Sequence, residues 1–535
     1  MAEPVKPGPG HAERGRGLVR STGIISALIF LSRVLGLVRE QVFASLLGAG
    51  LYADAFQAAF RIPNLLRDLF AEGALSAAFV PTYTRALTEG GPERAHRMAN
   101  RLMTLLAVVL GALVVAAFVF AAPLVRALAP GFERVPGKMA ITVQLTRVML
   151  PFMPLVSFAA VAMGMLNAHQ RYGTPAFAPA VFNLVTIAWA SVLWAAGFSP
   201  AQVALGWAAG TLFGGAAQFA IQLPGLWKVG WRFRPEWGPT DPDLRAIMSL
   251  MAPATVGLAA VQVNIFLGTN FASAQEGAVA WLSYAFRILY LPIGIFGVAV
   301  GTVATTGLAL RAAAGDMEGV RDTVRRSLRF LCYLTLPATA GLMALGVPVV
   351  RLLFERGKFH AGDTQATAAA LMWYSIGLVA YTGVKVLAPA FYALGRARVP
   401  LLASASAVAT NILVILTLHA RLGFRAIAFG TALGSIMNAA VLIAVFQSRV
   451  GGVLRELFSS AMARMVLSAA IMAPTAWYIA RLLEDWFGTR GLRAQLVTGL
   501  VPVALGGAVY LALTGLFRVP EAAQLLGLLR RGRKL

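Results

Sequence analysis

The sequence predicts an all-α polytopic membrane protein: fourteen transmembrane helices, in two pseudo-symmetric six-helix lobes followed by a C-terminal helix pair. Three observations carry that expectation. Apolar runs of about 20 residues, the length that crosses a bilayer's hydrocarbon core, recur along nearly all of a 535-residue chain that is 58% hydrophobic and 13% charged. Lysine and arginine are divided unequally between alternate loops. Residues of the first half recur in the second at a near-constant offset. No segment shows the apolar–polar alternation that a membrane β-barrel needs.

In chain order the predicted spans are 22–47, 52–83, 102–125, 141–167, 176–197, 202–223, 247–272, 278–308, 327–350, 365–393, 399–419, 424–447, 464–483 and 495–516. Residues 1–20, rich in Pro, Gly and Arg, are expected to be a disordered basic tail. The apolar run after them is too long for a secretory signal and leads into more spans, so it reads as an uncleaved first helix. When span-end residues are counted with the adjoining loops, segments on the N-terminal side carry 28 Lys and Arg and the opposite loops 12, with six more inside spans. Positive-inside orientation then places both termini in the cytoplasm.

The repeat supports the division into lobes. Arg61 and Arg287, Phe70 and Phe296, and Arg85 and Arg311 are each 226 positions apart. Pro175 and Pro400 are 225 apart, Asn183 and Asn411 are 228 apart, and Gly210–Gly214 (GTLFG) echoes Gly430–Gly434 (GTALG) at 220. Six spans per copy is an even number, so the copies share one orientation, related by an axis along the membrane normal. The expected division is an N-lobe over 21–223 (helices 1–6), a cytoplasmic linker over 224–246 and a C-lobe over 247–448 (helices 7–12). Accessory helices 13 and 14 follow over 449–517, then a basic tail over 518–535. The glycine echoes are expected to let helix backbones approach closely within each lobe.

Charge inside the spans carries the functional signal. Ser21–Arg85 is apolar enough for a bilayer yet holds Arg33, Arg39, Glu40, Asp54, Arg61, Arg67, Asp68 and Glu72. A charge facing lipid costs about 2.5–3.5 kcal/mol on insertion scales, so such residues usually face a water-filled cavity or a partner. Arg61, Asn64, Asp68 and Glu72 share one face of helix 2 by their spacing, with Arg67 beside them. Helix 8 adds Arg287. Arginine binds phosphate in two-pronged fashion and keeps its charge when partly desolvated. The expected site therefore accepts an anion, with Arg39, Arg67 and Arg287 as a diphosphate clamp and Arg33, Asp54, Arg61 and Glu72 lining it. Pro63 and Pro292 can break their helices and expose backbone groups.

Other classes find little support. The single cysteine, Cys332, permits no internal disulfide, and five scattered histidines give no metal-ligand spacing. No phosphate-loop motif, Ser–His pair or paired inward carboxylates are present, so neither a cofactor nor an enzyme is expected. The net charge of +24 lies in loops and tails, where it orients the chain and meets anionic lipid rather than nucleic acid.

Five segments carry a family resemblance: SRVLGLVRE (Ser32–Glu40), ADAF (Ala53–Phe56), IPNLLRDLFAEGALSAAFVP (Ile62–Pro81), LFERGKF (Leu353–Phe359) and VKVLAPAFYAL (Val384–Leu394). They resemble the MurJ/MviN lipid II flippases, across essentially residues 21–517. The resemblance implies a fourteen-helix member of the multidrug/oligosaccharidyl-lipid/polysaccharide exporter superfamily in a bacterial inner membrane. The implied substrate is lipid II, a disaccharide-pentapeptide on undecaprenyl diphosphate, flipped outward for cell-wall assembly. Helices 13 and 14 would form a groove for its polyprenyl tail. The family's functional arginines match Arg33, Arg39, Arg67 and Arg287, and its aspartate matches Asp54. The family's Arg-Asp pair late in helix 1 is Arg39-Glu40 here, a serine near the start of helix 8 is Ala280, and an acidic residue before the helix 8 arginine is Phe286. The implied partners are lipid II, membrane lipids and the cell-wall synthesis machinery. A cation-coupled drug exporter of the same superfamily is a rival expectation, weakened by an arginine-rich rather than carboxylate-rich interior. A non-transporting scaffold of the cell-wall machinery is another; it predicts tolerance of neutral substitutions at these arginines.

Overall fold

A computed structural model describes residues 9–67, 74–457 and 459–532, with side chains described at 25–65, 67, 75, 78–251, 262–455, 459–525 and 527. Among these residues the secondary structure is helical throughout. The chain divides into two compact units: residues 1–47, 55–128 and 132–259, and residues 48–54, 129–131 and 260–535.

The first unit is built from α1 (Pro9–Leu47), α2 (Leu51–Arg67) from residue 55 onward, α3 (Ala74–Val119), α4 (Ala121–Leu128), α5 (Lys138–Met149), α6 (Phe152–Ala168), α7 (Gly173–Ala195), α8 (Pro200–Ala220), α9 (Leu223–Lys228) and the first part of α10 (Pro242–Ala272). The expected disordered tail needs correction over its second half. The helix starts at Pro9, a residue suited to the first helical position because the N–H it lacks would be unpaired there. The loop expected between spans 2 and 3 is also mostly helical. Helix α3 turns within it at Gly91, whose φ of 73° any other residue would adopt at a cost, and Pro92 restarts the helix. The core joins Phe79 and Tyr83 from the start of α3, Met98–Leu110 from its second half, and Met153–Leu166 from α6. At the start of α8, Ser199 caps Gln202 N–H while the Gln202 side chain reaches back to Ser199 N–H.

The second unit contains α11 (Ala278–Pro292), a π-helical stretch at Ile293–Val298, α12 (Ala299–Ala313), α13 (Met317–Ala344), α14 (Gly346–Phe354), α15 (Ala361–Ser375), α16 (Leu378–Ala393), α17 (Arg398–Leu422), α18 (Arg425–Arg449), α19 (Val453–Leu457), α20 (Ser460–Phe487), α21 (Leu492–Leu516) and α22 (Pro520–Gly532). Its core repeats the pattern of the first: Ala304 and Leu308 of α12, Val320–Leu331 of α13 and Val386–Phe391 of α16. The π-helical stretch follows Pro292, whose missing N–H removes one α-helical hydrogen bond.

Among the described residues ten helices are long and apolar enough to cross a membrane, and eleven if α15 and α16, bent by 44°, count as one broken span. These cover every predicted span except 22–47, 52–83 and 247–272. The exceptions are the charge-rich first two and the seventh, and they fall on α1, on α2 with the start of α3, and on α10. The chain is an all-α polytopic membrane protein.

The repeat has a structural counterpart inside each unit. Asn183 on α7 donates its side-chain N–H to the Ser32 carbonyl of α1 at 3.2 Å, and Asn411 on α17 donates to Asn264 on α10. Both asparagines thus tie the fifth helix of a set of six to the first. The glycine echoes mark close approaches. A methyl group added at Gly214 of α8 would meet the Phe182 carbonyl oxygen of α7 at 2.9 Å, and one at Gly434 of α18 would meet that of Ala407 on α17 at 2.6 Å. Across the α7–α8 seam the Thr186 hydroxyl donates to the Gly210 carbonyl at 3.3 Å.

Candidate substrate-binding site

Helix α1 delivers Arg33 and Arg39 in the first unit. Arg33 is exposed, whereas Arg39 is half-buried and Glu40 is buried at 6% exposure. The Arg39 guanidinium donates to Glu40 Oε1 at 2.7 Å and lies 5.1 Å from the ring centre of Phe182 on α7. An ion pair and an aromatic face together hold the cation on an otherwise apolar helix. Phe182 belongs to a run of rings that includes Phe152 and Phe60. Sequence reasoning missed it, because a phenylalanine in an apolar span carries no signal of its own.

Helix α2 adds Arg61 and, in its last turn, Arg67, both half-buried. Pro63 lies between them without ending the helix. Asp68 and Glu72, expected on the same face, lie outside the described residues.

In the second unit Arg287 is half-buried on α11, five residues before Pro292. Beside it, Phe286 packs against Tyr374 with ring centres 5.5 Å apart, so this position is built into an aromatic cluster. Asp54 is also in this unit and is fully buried. The amide of Gly277 donates to its Oδ2 at 2.7 Å and that of Ala280 to its Oδ1 at 2.8 Å. A carboxylate accepting two amides at a helix N-terminus satisfies orphan donors and complements the helix dipole. Asp54 is therefore positioned to hold the start of α11, the helix that carries Arg287. The Tyr284 hydroxyl donates to the Gly48 carbonyl at 2.9 Å and fastens the same turn. Local spacing could not predict the Gly277–Asp54 bond, which joins residues 223 positions apart.

The LFERGKF segment organises one end of the second unit. Arg351, just before it, pairs with Glu484 of α20 at 2.5 Å and with Glu355 at 3.6 Å. Glu355 Oε2 accepts from the Thr364 hydroxyl at 2.6 Å, and the Glu355 carbonyl accepts from the Gln495 side chain of α21 at 3.4 Å. The motif thus ties the accessory pair to α14 and α15. At the other end, Glu521 of α22 is buried and pairs with Arg329 of α13 at 2.6 Å. No cluster of three or more possible metal-ligating side chains occurs among the described residues.

The fold defines the class first: a polytopic all-α membrane protein. The structure resembles that of "Lipid II flippase MurJ, inward closed conformation" with a TM-score of 0.75 at 23% identity, covering 92% of this chain and 98% of that one. It also resembles an inward-facing multidrug resistance MATE family transporter of the MOP superfamily, with a TM-score of 0.66 at 16% identity over 81% of this chain and 98% of that one. The family described as "Lipid II flippase MurJ" matches residues 43–496. A "Probable lipid II flippase MurJ" of Rhizobium meliloti is 34% identical over 527 residues, 97% of this chain and 96% of that protein. The "Lipid II flippase MurJ" of Burkholderia cenocepacia is 36% identical over 381 residues, 70% of this chain and 73% of that protein. The chain belongs to the lipid II flippase MurJ family.

Proposed function

We propose that this protein carries lipid II from the cytoplasmic to the outer leaflet of a bacterial inner membrane by alternating access. Family membership supports the substrate, and the retained arginines support its chemistry. The observation that carries the reading is the placement of Arg39 and Arg287 as half-buried cations on apolar helices, where a charge persists only for a partner. In this reading Arg39, Arg67 and Arg287, each from a different helix, bind the diphosphate, and Arg33 and Arg61 add to the anionic attraction. Asp54 positions α11. Helices α20 and α21 receive the polyprenyl tail, both termini are cytoplasmic, and the product enters cell-wall synthesis. The lobes are residues 21–223 and 247–448.

The test is rescue of a bacterium depleted of its own flippase. Wild-type chain restores growth and outward appearance of lipid II. Arg39→Ala, Arg67→Ala and Arg287→Ala, each at normal membrane abundance, lower flipping roughly tenfold or more, as expected from losing a charge-assisted contact worth about 1.5–3 kcal/mol. Arg39→Lys keeps the charge but loses the planar fork, and restores only part of the activity. Full rescue by all three alanine variants would defeat the reading.

A further inference from the structure

The segment between α9 and α10 combines two chemistries that the transport reading leaves unused. It reads KVGWRFRPEWGPTDPDLR from Lys228 to Arg245. It leaves one apolar helix and enters another, so covalent geometry holds it at the bilayer boundary.

Its inner side is bound to the first unit. Trp231 is 1% exposed and shares the core with Met98, Leu102 and Met103. The Asn100 side chain donates to the Arg232 carbonyl at 3.3 Å, and the Glu236 amide donates to the Thr104 hydroxyl at 3.1 Å. All three acids of the segment turn to α3: Asp243 pairs with Arg94 at 3.1 Å, Glu236 with Arg101 at 3.5 Å, and Asp241 with Arg101 as well. Two arginines of α3 thus draw the three acids toward that helix and offset two of their charges.

The outer side carries exposed rings and cations: Trp227, Phe233 and Trp237, the last at 63% exposure, with Lys228, Arg232, Arg234 and Arg245. The Arg232 guanidinium lies 5.5 Å from the Trp227 ring centre. Large amphipathic rings interleaved with basic side chains, with the acids withdrawn, match a phospholipid interface. Rings sit at headgroup level, and each cation near an anionic surface adds on the order of fivefold to partitioning. We propose that this strap is a docking surface for anionic phospholipid headgroups of the adjacent leaflet. The strap is rigidly fastened to α3, so headgroup binding holds that end of the first unit at the interface.

The test uses full-length protein in nanodiscs of equal phosphatidylcholine and phosphatidylglycerol. A Pro235→Cys variant carries a fluorophore at that exposed position, and bromine quencher sits on the chains of one lipid or the other. The expected result is deeper quenching when phosphatidylglycerol is brominated. Combined Lys228→Gln, Arg232→Gln, Arg234→Gln and Arg245→Gln should equalise the two lipids without changing the unfolding temperature. Trp237→Ala should reduce quenching by both. Equal quenching by the two lipids with the strap intact would overturn the proposal. So would protection of the fluorophore by a soluble cytosolic protein with no response to either lipid.

Discussion

Asp54 shows how a buried charge acts through backbone rather than ligand. Both oxygens accept amides of the turn that starts α11, and the side chain has no exposure. In Asp54→Asn the amino group would face one of those N–H donors, leaving a buried donor unpaired and removing the charge. We expect a loss of about 1–3 kcal/mol. Thermal unfolding in detergent should show a lowered midpoint, with transport falling alongside; an unchanged midpoint would mean that the turn holds without the carboxylate. Arg39 is the opposite case, a cation whose pair and aromatic face leave it half-buried. Its presence in an apolar span was legible from sequence because charge there is rare. Its contact with Phe182, 143 residues away by number, was not.

Helix packing is governed by a few small residues and two fastened segments. Gly434 lets α18 lie against the Ala407 carbonyl of α17. Gly434→Ala should push the helices apart at a cost of about 1–3 kcal/mol, read as reduced membrane abundance and a lower unfolding midpoint. Wild-type stability in that variant would show that the seam can open freely. The strap offers a pH prediction. Burial opposes the charge of Asp241, but the Arg101 guanidinium and the amides of Asp243 and Leu244 outweigh it, holding its carboxyl below the usual range. A depressed carboxylate contributes stability above its unfolded pKa and loses it as pH falls through the folded value. Slow amide exchange at 243–244, corrected for intrinsic rate, should therefore persist through about pH 3.9, where an ordinary aspartate protonates, and fail only below it. Asp241→Ala, which removes the accepting oxygen, should exchange fast at every pH. If wild type loses protection at the ordinary value, the Arg101 pairing does not stabilise the strap.

At the scale of the whole chain, charge asymmetry makes the remaining prediction. Alternate loops differ by 28 to 12 in Lys and Arg, so fluorescent-protein fusions at either terminus should glow and alkaline phosphatase fusions there should be inactive. An active phosphatase at the C-terminus would overturn the orientation. The internal repeat was legible because its anchors are residues that apolar helices rarely contain. Arg, Pro and Asn recur at offsets of 225–228, and the Asn183 and Asn411 side chains each donate to the first helix of their sets.

By itself the sequence determined the solvent, the helical class, the duplicated plan and the presence of charge inside apolar stretches. These follow from hydropathy, periodicity and the cost of charge in lipid, all local or additive along the chain. Only the tertiary structure decided which groups those charges meet. It assigned Asp54 to the amides of Gly277 and Ala280, set Phe182 under Arg39 and turned the strap's acids toward Arg94 and Arg101. It also joined Arg351 of α14 to Glu484 of the accessory helix α20. Each of these joins residues more than a hundred positions apart, and their approach depends on helix crossings that no local pattern encodes.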